Sequence, residues 1–270
     1  MLPVIQAALP LDSALVASPA LLIALGAVAF LYASVGHAGA SGYIAVLSLA
    51  GLPSAEIRAI ALVLNVLVAG LGTVQFVSAG HLRRDVLLPL ALASVPAALI
   101  GGAISLPVLL LQRLIGLVLL FSAWRLTAPA VAVVPGSLRL PPPRQRALTG
   151  AGLGLLAGLT GTGGGIFLTP WMILRSWLLP RQAAAVSVAF ILVNSIAGAS
   201  GLALRQGFAA FPAAAALAPV AAVVLVCGGI GAYLGSRRLP QTWIRRLLSL
   251  VLLLAAWKLL DIGAWWSVRP

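Results

Sequence analysis

Six apolar runs, each about long enough to cross a bilayer as a helix, succeed one another along this chain. They cover roughly 58–78, 86–105, 108–126, 183–204, 209–235 and 243–262. Such a chain lacks the polar surface that a water-soluble globule needs. Of its 270 residues 62% are hydrophobic and 8% charged, and the mean hydropathy is +1.14. A soluble domain carries about 25% charged residues. Lipid is therefore the expected solvent, and the expected fold class is an all-α polytopic membrane protein. The same numbers exclude disorder.

Four acids, Asp12, Glu56, Asp85 and Asp261, stand against 17 Lys and Arg, for a net charge of +13. The cations form short clusters between apolar runs rather than a long basic stripe, so they read as orientation signals and not as a nucleic-acid surface. One Cys and two His argue against a disulfide framework and a structural zinc site. The chain offers no nucleophile–His–acid set, no phosphate loop followed by Lys, and no carboxylate at the centre of a predicted span. Neither an enzyme activity nor a cofactor is expected.

Two segments break the pattern. Residues 20–51 and 148–178 are each about 30 residues long, too long for one span and too short for two. The first is interrupted by Gly36-His37-Ala38-Gly39-Ala40-Ser41-Gly42 and the second by Gly158-Leu159-Thr160-Gly161-Thr162-Gly163-Gly164-Gly165. Adjacent glycines disfavour a continuous helix, so each segment is expected to be two half-helices of about 10–13 residues meeting at mid-depth. Pro170 is expected near the first turn of the second half-helix, where a missing N–H costs little.

The two halves repeat each other. The Gly36 break returns at Gly161, Asn65 at Asn194, Gly101-Gly102 at Gly228-Gly229, and Trp124-Arg125-Leu126 at Trp257-Lys258-Leu259. The expected organisation is a leader over 1–19, a transmembrane repeat over 20–127, a Pro/Arg-rich linker over 128–147, a second repeat over 148–262 and a tail over 263–270. If each broken segment crosses once, the cations divide almost evenly between the two faces. If each folds back as a re-entrant hairpin, three full crossings remain per half, the halves are inverted, and the cations divide 12 to 5. The positive-inside rule prefers inversion, with the linker and 236–246 cytoplasmic, and 51–57 and both termini outside.

The run from Ala151 to Pro170, with Gly161, Thr162, Gly163, Gly164 and Gly165 at its centre, resembles the signature of the TauE/SafE sulfite exporter family of membrane permeases. The resemblance extends over 20–127 and 148–262. In the first half His37 and Ser41 interrupt the glycines and no Pro follows. The resemblance implies a multi-pass protein of the bacterial inner membrane. It also implies transport of sulfite, thiosulfate or an organosulfonate.

The motif has its own physics. A mid-membrane break exposes the N–H groups that open the second half-helix, and these attract anions. Gly161, Gly163, Gly164 and Gly165 let an oxyanion approach the backbone, and Thr162 offers a hydroxyl. His37, Gly39 and Ser41 are the corresponding candidates at the first break, with Ser34 and Thr160 as further hydroxyls. The competing reading makes the glycines packing faces. It suits Gly150, Gly154 and Gly158 better than the Gly-Gly-Gly run, so Gly154→Ala is expected to keep substantial transport at equal folded protein. The anion is expected to be held by helix dipoles without a buried Arg. Asn65 and Asn194, buried amides in apolar runs, bond either the broken backbone or the substrate. His81 reads as a loop histidine, Gln75 as interfacial, Cys227 as a packing residue, and the seven Trp as an interfacial belt. The expected function is alternating-access export of a small sulfur-containing anion. The alternatives are an anion channel or a structural membrane subunit.

Overall fold

A computed structural model describes residues 18–52, 54–104, 116–117, 120, 123–124 and 138–265. Among them the regular structure is entirely helical. The helices are α1 (Pro19–Ser34), α2 (Ala40–Leu49), α3 (Ser54–Ser78), α4 (Arg84–Ala103), α5 (Pro143–Thr160), α6 (Gly165–Leu174), α7 (Pro180–Gln206), α8 (Ala214–Tyr233) and α9 (Gln241–Trp265). Four described stretches are long and apolar enough to cross a membrane: Glu56–Ser78, Arg84–Ala103, Pro180–Gln206 and Ala214–Arg238. Most of the expected 108–126 span and of the leader lies outside the described residues, as do 127–137 and 266–270.

Both glycine-rich segments are broken helices, as expected, but their arms are unequal. The first arms have 16 and 18 residues and the second arms 10 each. An 18-residue α5 rises about 27 Å, longer than a half-helix. The extra length comes from the linker. Pro143 sits in the first turn, where its fixed φ and missing N–H suit a helix start, so α5 begins five residues before the expected 148. Proline also opens α1 and α7, and at α1 the Ser18 hydroxyl accepts the Leu21 N–H at 3.3 Å. Pro170 is the sixth residue of α6, deeper than expected, because the helix restarts at Gly165.

Close packing fixes the direction of the helices. Gly150, Gly154 and Gly158 of α5 face Leu90, Ser94 and Ala98 of α4, so these two helices run the same way. At each of the three glycines an added Cβ would collide with α4 backbone. The packing reading of this strip is correct. A methyl group at Gly154 would fall 2.6 Å from Ser94 Cα, so Gly154→Ala carries a packing cost. On the other side of the bundle α1 and α8 also run in parallel: Gly231 faces Phe30 and Gly235 faces Ser34. Cys227 packs there, with its sulfur 3.1 Å from where a Cβ on Gly26 would lie. Between these pairs, α3 and α7 cross at the centre.

Polar contacts mark two ends. At one end Arg146 of α5 donates to the Asp85 carbonyl. That oxygen has no helical donor because residue 89 is proline. The Arg83–Asp85 ion pair (2.7 Å), Arg181 on the Leu239 carbonyl (2.5 Å) and His81 on the Ser236 carbonyl (2.8 Å) lie at this end. Gln75 is not merely interfacial there. It donates to the Gly229 carbonyl at 3.1 Å and accepts from Arg237 at 3.1 Å, tying α3 to α8. At the opposite end Arg58 and Arg205 meet the last carbonyls of α4. The Arg139 N–H, just before α5, donates to the Ser176 carbonyl, just after α6, at 2.9 Å. The α5–α6 segment therefore folds back and returns to the end it left. Trp124, Trp243 and Trp257 are exposed, but Trp177 is buried in the core against α7 and does not join a belt.

Candidate functional site

The second break is a sequence of left-handed glycines. Gly161, the C-cap of α5, has φ +72°, Gly163 +73°, and Gly164, the N-cap of α6, +76°. L-residues avoid this region at about 1–2 kcal/mol each. No side chain caps the N-terminus of α6, so its first-turn amides retain the partial positive charge of an open helix end. Gly163, Gly164 and Gly165 are buried.

Residues of both halves face this opening, Asn65 from the first and Ser195 from the second. A Cβ on Gly163 would lie 2.8 Å from Ser195 Oγ and 3.1 Å from Asn65 Nδ2. Asn65, with 0% exposure, donates to Ser195 Oγ at 3.3 Å while its Oδ1 has no partner among the described residues. Nδ2, the amide atom nearest Gly163, carries a second N–H besides the one given to Ser195. Asn194, 1% exposed, donates to the Phe190 carbonyl of its own helix at 2.8 Å, and its Oδ1 too is unpartnered. A Cβ on Gly164 would meet the Phe190 ring at 3.0 Å, so the Asn194 turn lies behind the break.

The first break reaches the same region through one side chain. His37, 1% exposed, places Nε2 2.9 Å from Thr169 Oγ1 of α6. The Thr169 hydroxyl is 2.7 Å from Ser187 Oγ of α7 and 3.2 Å from the Gly165 carbonyl. With one proton to donate, Thr169 accepts from at least one of these neighbours. His37, Thr169 and Gly165 thus form a polar chain running to the α6 N-terminus, with His37 Nδ1 left unpartnered.

Other expected site residues are held locally. Gly36 (φ +79°) abuts the Ala184 backbone, and Gly39 (φ +104°) lies under the Tyr43 ring. Ser41 Oγ donates to Tyr32 Oη at 3.0 Å, and Ser34 Oγ to the Leu31 carbonyl at 2.7 Å. Thr160 donates to the Leu156 carbonyl at 2.7 Å, so the Thr162 hydroxyl, 2.7 Å from Thr160 Oγ1, turns its proton back onto its neighbour. The structure links Gly163 to Asn65, and Gly165 through Thr169 to His37, while the contacts of Gly39, Ser41 and Thr162 are with Tyr43, Tyr32 and Thr160.

Sequence reasoning missed Thr169, Ser187 and Ser195, small hydroxyls that look like filler in an apolar run. It also missed Arg58. The Arg58 side chain lies against Gly161, with Cγ 3.1 Å and Nε 3.8 Å from the place of a Cβ there. Arg58 is half-buried and so stands beside the break rather than as a buried counter-ion within it. The signal was available: Arg58 is the cation that opens an apolar run ending at Ser78.

A family model described as "Sulfite exporter TauE/SafE" matches residues 20–259. A protein of Sinorhizobium fredii (strain NBRC 101917 / NGR234) described as "Probable membrane transporter protein y4hK" is 37% identical over 244 residues, 89% of this chain and 97% of that protein. No solved structure matches. These are transporter matches and not enzyme matches. With the broken apolar helices and long apolar spans described above, they place this chain in the TauE/SafE sulfite exporter family of multi-pass membrane transporters.

Proposed function

We propose that this protein exports sulfite or a related small sulfur-containing anion by alternating access across the bacterial inner membrane. The carrying observation is the uncapped α6 N-terminus, opened by left-handed Gly163 and Gly164 against the half-satisfied amide of Asn65. Backbone amides of Gly163, Gly164 and Gly165 supply the partial positive charge, and Asn65 and His37 add directed donors. Asn194 supports the turn behind the break. Gly39, Ser41, Gly161 and Thr162 shape the approach. Partial charges hold an anion more loosely than a buried counter-ion does, which suits a site that must also release.

We read the two halves as repeats of opposite topology. Three observations support this. The helix order recurs as a broken helix, a long crossing helix and a 20-residue helix. α4 packs on the broken helix of the second half and α8 on that of the first. The α5–α6 hairpin returns to the arginine-rich end, while α1 runs toward that end. A site between such halves is exposed alternately as one rocks against the other. Flux into liposomes across sulfite, sulfate, thiosulfate and sulfonates tests the reading. Saturable flux with counterflow of a sulfur oxyanion is expected. Non-saturating conductance would make it a pore, and no flux a structural subunit.

A further inference from the structure

The two arginines at the far end of the bundle have no role in that scheme. Arg58 Nη2 of α3 lies 3.2 Å from the Gly102 carbonyl, 3.5 Å from that of Gly101 and 2.5 Å from that of Gly158. Arg205 Nη1 of α7 donates to the next α4 carbonyl, Ala103, at 2.6 Å. Two guanidiniums from the two crossing helices thus converge on the C-termini of α4 and α5. Those C-termini bring about −0.5 charge each. Among the described residues neither arginine is ion-paired; the acid at this end, Glu56, opens α3 two residues before Arg58. The Arg58 Nε–H is buried without a partner and lies beside Gly161, 3.8 Å from the place of a Cβ there.

From this geometry we infer a second anion station at the far mouth, formed by Arg58 and Arg205 and adjoining Gly161. It takes a small oxyanion of the class held at the central cradle, and in that respect it rests on the function proposed above. Arg58 Nε supplies a directed charged donor, Arg205 supplies field from the rim, and Gly161 leaves the passage between station and cradle open. An anion leaving Gly163–Gly165 then steps to a charged site before reaching bulk water, so release need not pass through an unliganded apolar gap.

Equilibrium binding of 35S-labelled sulfite to the purified full-length protein, measured on the folded fraction, tests the station separately from the cradle. Four forms are compared: wild type, Gly164→Val, Arg205→Gln and the double variant. The cradle variant should still bind sulfite, five- to tenfold more weakly, and Arg205→Gln should remove that residual binding. Arg205→Lys should restore it, because a point charge at the rim is enough. Where Gly164→Val does not fold, Arg205→Gln in the wild-type background should lower the bound equivalents from two to one. Unchanged binding when Arg205→Gln is added to either background overturns the station. Wild-type binding by Gly164→Val, with loss only in the arginine variants, overturns the cradle and leaves the station standing.

Discussion

Gly163→Ala is the substitution in which the site and the fold can be separated. The residue sits at φ +73°, where an alanine is strained by roughly 1–2 kcal/mol. Its Cβ would lie 2.7 Å from Ile191 Cγ2, 2.8 Å from Ser195 Oγ and 3.1 Å from Asn65 Nδ2. The neighbours must shift, and overpacking of this kind costs about 1–3 kcal/mol. The sum is about 2–5 kcal/mol of destabilisation, and the methyl group stands where the anion would be held. Gly154→Ala is the matched control. Its Cβ strikes Ser94 backbone on the opposite side of α5, so it carries an overpacking cost of about 1–3 kcal/mol without touching the cradle. Both proteins are heated in detergent and the surviving monodisperse fraction is measured. Sulfite binding is then measured on equal folded protein. Both should lose thermal stability, but only Gly163→Ala should lose affinity, by at least about tenfold, or ~1.4 kcal/mol. Equal affinities in the two variants would refute the cradle and leave the glycine run as packing.

Three other outcomes follow from named contacts. In a Cys227→Ala background, single cysteines at exposed Gln145 and Arg175 should react with an impermeant thiol reagent from the same face, and one at Phe208, 86% exposed, from the other; opposite faces for Gln145 and Arg175 would defeat the fold-back. Thr169→Val removes the hydroxyl shared by His37 and Ser187, leaves buried polar atoms unpaired, and should cost about 1–3 kcal/mol of stability each by thermal unfolding, with loss of sulfite flux at equal folded protein. Arg146→Met should destabilise because it strips the Asp85 carbonyl of its donor, and adding Pro89→Ala, which restores a helical N–H to that oxygen, should recover much of the loss in the same melt.

Much of the architecture is legible in the chain itself, because a bilayer admits few solutions. A run such as 183–204 must satisfy its own backbone in lipid, so it had to be a helix, and α7 is one. Gly161 through Gly165 cannot continue a helix cheaply, so the break was legible too. Asn65 and Asn194 stood out for a related reason, since a buried amide in an apolar run needs partners.

Partnership across the chain was not legible. Composition cannot say that Gly154 opposes Ser94, that Thr169 lies between His37 and Ser187, or that the Asn65 amide meets Ser195. Apart from Thr169–Ser187, 18 positions apart, these pairings join helices of the two halves through residues 60 to 132 positions apart. Thr162 looked like a donor because its type and place suited one, and only the turn at Thr160 directs its proton elsewhere. Arg58 looked like an orientation charge, and only packing carries it to Gly161 and to the C-termini of α4 and α5. Local sequence settles which segments become helices and where they must break, because lipid penalises every unsatisfied backbone group. Which side chains then converge is decided by helix-on-helix packing at glycine contacts, and that information is spread over the whole chain.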